Sequence, residues 1–96
     1  MQAVAAAHDL GQLSLGDALG LCLLYAEQEP ERFNRAAARW HGRFAVEART
    51  ISLAESQLAL AALQARAHGV GDGLPVLLGL CKRYRVANLS TAERIA

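Results

Sequence analysis

The sequence predicts an all-α fold: a small bundle of four main helices arranged as two helical hairpins, with short partial helices at both ends, in a single domain over residues 1–96. Three observations predict it. One short phrase recurs at a fixed step. Leu13–Leu21 reads LSLGDALGL, Ile51–Ala59 reads ISLAESQLA, and the chain from Leu89 reads LSTAERIA, each 38 residues after the last. Apolar residues make up 53% of the chain but aromatics only 5%, so the apolar mass is mainly Ala and Leu, both strong helix formers. β-Branched residues are few, which disfavours a sheet.

The elements follow in order. Residues 2–8 read as a short helix. In each copy of the phrase a serine precedes an acid by three: Ser14 with Asp17, Ser52 with Glu55, Ser90 with Glu93. This is capping-box spacing: the serine oxygen takes the N–H of the third helical residue, and the acid reaches back to the cap's own N–H. The acid also lies at the positive end of the helix dipole. The three serines are therefore predicted as helix caps. The first helix is predicted over 15–27. EQEPERF then breaks it, because Pro30 disfavours helix at Glu29 but suits the first position of a new one. The second helix is predicted over 30–48. The third starts after Ser52 and runs to about Ala67, where HGVGDG supplies stop and turn signals. The fourth is predicted over 74–85 with Pro75 in its first turn, and residues 91–96 form the start of another helix.

The step of 38 thus reads as helix, turn, helix, turn. The second helices echo each other too, GRFAV at Gly42–Val46 against KRYRV at Lys82–Val86. Steps of this size belong to helical-hairpin arrays. The pattern resembles tetratricopeptide hairpins in outline only. The Trp-Leu-Gly-Tyr pattern of that family is absent from the start of either hairpin, so no family is assigned.

Size and charge bound the function. Ninety-six residues make one domain that buries roughly 65% of its unfolded surface. The formal charge of +1 is small for a protein that lives mainly on nucleic acid. The longest charge-free stretch, Ser56 to Ala65, falls short of the ~20 apolar residues of a membrane span, so no membrane partner is expected. The beginning of the chain, with Asp9 and no early Lys or Arg, does not read as a secretory signal. Cys22 and Cys81 are too few for a disulfide scaffold, and a cytoplasmic location is the expectation.

No catalytic site, metal site or cofactor is predicted. A serine nucleophile needs a base in reach, itself oriented by a third group, and the serines here have acids at cap spacing. His8, His41, His68 and the two cysteines match no metal-ligand spacing. GVGDGLP at Gly69–Pro75 fits neither phosphate-loop pattern, and no strand precedes it.

The second helix carries more. At 100° per residue Phe33, Ala37, Trp40 and Phe44 share an arc of roughly 60°, and Arg32, Arg35, Arg39 and Arg43 share a neighbouring arc of roughly 80°. The aromatic arc is the predicted core face. The arginine ridge is a candidate site for an anion or an acidic partner, with Lys82, Arg83 and Arg85 at the equivalent end of the fourth helix. The plain alternative is a solvated face paired with Glu27, Glu29 and Glu31. A helix-turn-helix reader of DNA would place the third helix in the groove, but LAESQLALAALQA offers little to a base edge.

The first and third helices are apolar on nearly every side, as in ALGLCLLYA and LALAALQA. A helix apolar all round is buried all round. Five or six short helices seldom enclose two such helices alone, and Gly16 and Gly20 allow close approach of another backbone. Leu21 and Leu24 are therefore the candidate self-association residues. In the array reading the ends lack polar caps, and the array is expected to be open at one end at least. Together these features predict a small protein–protein interaction or self-association module without catalytic activity, a homodimer or a partner of another protein. The alternative is a nucleic-acid-associated protein using the arginine ridge on phosphates.

Overall fold

The first two copies of the repeated phrase start helices through their serines. The computed structural model describes residues 13–70 and 73–95. Among them are five helices and no strand: α1 (Leu15–Gln28), α2 (Pro30–Glu47), α3 (Leu53–Ala67), α4 (Leu74–Arg83) and α5 (Ser90–Ile95). The helix expected at residues 2–8 lies outside the described residues.

Ser14, in extended backbone, accepts the Asp17 N–H at 3.2 Å. Ser52 accepts the Glu55 N–H at 3.1 Å, while the Glu55 carboxylate takes the Ser52 N–H at 3.5 Å, closing the capping box. The third copy differs. There the Leu89 carbonyl accepts the Glu93 N–H at 2.9 Å, and Ser90 is already the first helical residue. Ser90 is thus not the cap that its spacing predicts. The helix begins one residue sooner because Asn88 turns the chain at φ 62° and Leu89 is drawn into the core.

A single residue separates α1 from α2. Glu29 adopts φ −141°, ψ 66°, off the helical region that the following proline disfavours. α3 ends in a Schellman motif: Gly69 sits at φ 68°, its N–H donates to the Arg66 carbonyl, and the Val70 N–H donates to that of Ala65. α4 ends the same way, with Arg85 at φ 59° in the place that favours glycine. This left-handed residue stops α4 at Arg83, two residues before the predicted end.

α1 is the central helix. It packs against α2, α5 and α3, while α4 packs on α3 and α2 on α3. Leu15, Ala18, Leu19, Cys22, Leu23 and Tyr25 of α1 are all buried. The two glycines make room. A Cβ on Gly16 would collide with the Ala87 carbonyl oxygen and lie 2.5 Å from that of Asn88; one on Gly20 would lie 2.8 Å from the Thr91 side chain. α5 and the loop before it therefore sit directly on the α1 backbone. Leu21, which packs against the core, and Leu24 are each half-buried, so both keep part of their side chains in water. One expectation is corrected here: α5 folds back on α1 instead of extending an open array from α4.

The aromatic arc of α2 completes the core. Phe33, Ala37, Trp40 and Phe44 are buried. Trp40 donates its Nε1–H to the Leu15 carbonyl at 2.9 Å, which satisfies the indole within the apolar interior. Phe44 stacks on Trp40 at 5.0 Å and meets Tyr84 edge-on at 6.3 Å.

Two pairs of substitutions test this account by urea denaturation. Gly16→Ala is expected to destabilise the fold by about 3 kcal/mol, the upper range for overpacking against backbone that cannot yield. Gly42→Ala, at an exposed helical site where a new Cβ meets nothing within 4 Å, is expected to stabilise it by about 0.5–1 kcal/mol. Equal effects at the two sites would refute the close seat of α5.

Ser52→Ala is expected to destabilise by about 1 kcal/mol through loss of the cap. Ser90→Ala, exposed at the first helical position, should stay within about 0.5 kcal/mol of wild type. A larger loss at Ser90 would show that the third copy is capped like the others.

Candidate interaction surfaces

The arginine ridge of α2 divides into fixed ends and a free middle. At one end Arg32 Nε lies 2.9 Å from the Glu29 carboxylate and also bonds the Tyr25 hydroxyl. Burial pushes the pKa of that hydroxyl up, and the Arg32 guanidinium beside it pulls the other way. At the other end Arg43 pairs with Glu47 at 3.1 Å and donates to the Leu13 carbonyl at 2.9 Å. Between them Arg35 and Arg39 are exposed, and neither has an ion pair among the described residues. An open trough of about 650 Å³ runs beside them, walled by Tyr25, Glu31, Arg32, Asn34, Arg35, Ala36 and Arg39.

The cations predicted at the end of α4 do not join this ridge. Lys82 pairs with Glu93 of α5 at 2.9 Å, and Arg83 with Glu55 of α3 at 3.0 Å. Both act as ties between helices, each exposed and so worth about 0–1 kcal/mol. Arg85 is exposed in its left-handed turn.

Glu55 is a junction. It closes the capping box with Ser52, pairs with Arg83 and accepts a hydrogen bond from the Tyr84 hydroxyl. That hydroxyl, with help from the Ser52 N–H and Arg83, holds the Glu55 carboxyl below its ordinary pKa against the opposing effect of burial, and the carboxylate in turn raises the pKa of Tyr84.

His41 of α2 touches Ser56 of α3. Its Nε2 lies 2.9 Å from both the carbonyl oxygen and the Oγ of Ser56. A carbonyl can only accept, so the contact with it is a hydrogen bond in the tautomer that carries the proton on Nε2, and the contact with the hydroxyl serves either tautomer. The contact ties α2 to α3. Cys22 and Cys81 are free and buried, and burial pushes both thiols up to about 12, so they stay protonated. Among the described residues no group of three or more His, Cys, Asp or Glu side chains is placed to hold a metal, and no helix is long and apolar enough to cross a membrane.

The second surface is the outer side of α3. Its inner side buries Ser56, Ala59, Ala62 and Leu63. On the other side Ala54, Leu58 and Ala61 are exposed in one stripe, with Leu53 bare at the helix start. Leu53 is 74% exposed and Leu58 48%. The sequence marks α3 as over-apolar but not which side stays bare. Tyr25 as a wall of the trough was missed as well; its signal is its place one turn before the break into the arginine helix.

Set against protein-family models, curated proteins and solved structures, the chain matches none of them.

Tyr84→Phe tests the junction. A carboxyl with a depressed folded pKa contributes stability above its unfolded pKa and loses it as pH falls through the folded one. Removing the Tyr84 donor should therefore move the Glu55 titration upward, toward the ordinary value of 4.5, and shrink the acid-side loss of stability. A carboxyl-carbon NMR titration reads the shift, and an unmoved Glu55 would refute the assignment.

Proposed function

We propose that the chain is a small helical protein–protein interaction module without catalytic activity, and that it self-associates as a two-fold homodimer through the outer side of α3. One observation carries the reading: the stripe of Ala54, Leu58 and Ala61 beside Leu53 is exposed on a helix that is free of charge from Ser56 to Ala65. Apolar surface gains roughly 25 cal/mol per Å² on leaving water. An uncharged stripe meets a copy of itself without repulsion, and a two-fold axis sets the two helix dipoles antiparallel. The adjacent pairs α1–α2 and α3–α4 support reading the fold as two helical hairpins at the 38-residue step. The two free, buried thiols fit a reducing compartment, so we place the protein in the cytoplasm. The nucleic-acid reading is weaker, because Arg32, Arg43, Lys82 and Arg83 are held by carboxylates of the same chain.

Mass in solution, by light scattering over a concentration series, is the test. Wild type is expected to approach twice the chain mass, and Leu58→Glu to give a folded monomer with an unchanged helical spectrum. A wild-type chain that stays monomeric at high micromolar concentration ends this proposal.

A further inference from the structure

The five ion pairs among the described residues leave a pattern of unused charge. Glu27, Glu29, Glu47, Glu55 and Glu93 are each held by a basic residue of the chain. Asp17 is held by the Ser14 hydroxyl at 2.9 Å. Only Glu31 remains among the described acids, and it lies in the wall of the trough itself. On the basic side Arg35, Arg39, Arg49, Arg85 and Arg94 have no ion pair among the described residues; of these Arg35 and Arg39 line the trough, one helical turn and so about 6 Å apart. Like charges at this spacing repel by a few tenths of a kcal/mol, and Glu31, one turn before Arg35, is the one described carboxylate on the trough that opposes this without forming an ion pair.

We infer that the trough beside the Tyr25 end of α1 is a docking site for a carboxylate-bearing segment of a partner protein, anchored by the guanidinium forks of Arg35 and Arg39. The inference rests on the reading of the chain as a protein-docking module, but it uses a different face from α3. Three features select the occupant. Guanidinium forks bind carboxylates in paired hydrogen bonds, and two forks one turn apart match two acidic side chains one turn apart. The Arg32 side chain, fixed by Glu29 and Tyr25, forms a rigid wall that leaves the free pair poised. A second copy of this chain is a poorer occupant, since every described carboxylate but Glu31 is already held within its own chain. A nucleic-acid backbone is served less well: contacts to several phosphates are needed, whereas the trough offers two free cations with Glu31 beside them.

The experiment follows the side-chain Nε–Hε NMR signals of Arg35 and Arg39 in the ¹⁵N-labelled full chain. The probes are a short Glu/Ala peptide with carboxylates one helical turn apart, its Gln counterpart, a single-stranded DNA oligonucleotide and inorganic phosphate. Saturable shifts of both signals with the Glu peptide are expected, weakening with added salt and absent with the Gln peptide. The double variant Arg35→Gln/Arg39→Gln should lose roughly tenfold or more in affinity, with an unchanged thermal melt. If that variant unfolds, the wild-type Nε–Hε shifts decide alone. Stronger shifts with the oligonucleotide or with phosphate than with the peptide overturn the proposal, as does the absence of shifts or an undiminished affinity in the variant. Leu58→Glu separates the two readings. Peptide binding retained in that monomer leaves the trough standing whatever becomes of the dimer.

Discussion

The fold depends on the contact between the α1 backbone at Gly16 and Gly20 and the segment that leads into α5. α1 is apolar on nearly every side, and such a helix is stable only if each side is covered. α2 and α3 cover two sides. The third is closed by a helix of six residues, too short to hold itself in water. It holds because the missing Cβ atoms let it come within backbone contact, where Leu89 and Ala92 enter the common core. Two further ties hold it: Lys82 reaches Glu93, and Arg66 donates to the Ile95 carbonyl at 3.3 Å. A side chain at Gly16 would lift α5 and bare the side of α1 that it covers.

The second line of order runs across the core through aromatic rings. Trp40 is bonded to the first turn of α1, Phe44 stacks on it, Tyr84 meets Phe44 from the end of α4, and the Tyr84 hydroxyl bonds Glu55 at the start of α3. Four helices are thus registered by two rings of one helix and one ring of another. Aromatics are few here, so this line carries the shape specificity that Ala and Leu, packing with little directionality, do not supply.

What could be read in the sequence was what depends on neighbours along the chain. Ser14 and Ser52 cap because their partners are three residues away. Pro30 breaks α1 from α2, Gly69 stops α3, and the Phe33–Phe44 arc faces inward by helical period alone. What could not be read depends on pairings distant in sequence. Nothing local says that Gly16 and Gly20 are matched by Ala87, Asn88 and Thr91 rather than by another chain. Nor does the spacing say that Lys82 and Arg83 meet Glu93 and Glu55, or that Arg32 and Arg43 are fixed while Arg35 and Arg39 are not. α3 is the plainest case. Ala and Leu occur on both of its sides, so the hydrophobic period has no direction, and only the position of α1, α2 and α4 decides that Leu63 is buried and Leu58 exposed.

The two candidate surfaces lie on neighbouring helices that are joined, and this bears on how they would work together. α2 and α3 are tied by the contact of His41 with Ser56 in the first turn of α3, so the outer side of α3 and the ridge of α2 keep a fixed relation. An apolar stripe left in water lowers the margin of a small domain, whose core supplies only a few kcal/mol. A partner that binds only the folded chain restores that margin by mass action. Pairing through α3 would therefore make the stability of α2, and with it the geometry of Arg35 and Arg39, rise with protein concentration. An acidic segment in the trough would act in the same sense, since it favours the folded α2 that sets the two forks one turn apart. Each occupant then strengthens the other through the common folding equilibrium, without any change in shape, and the coupling fades once the folded state is fully populated.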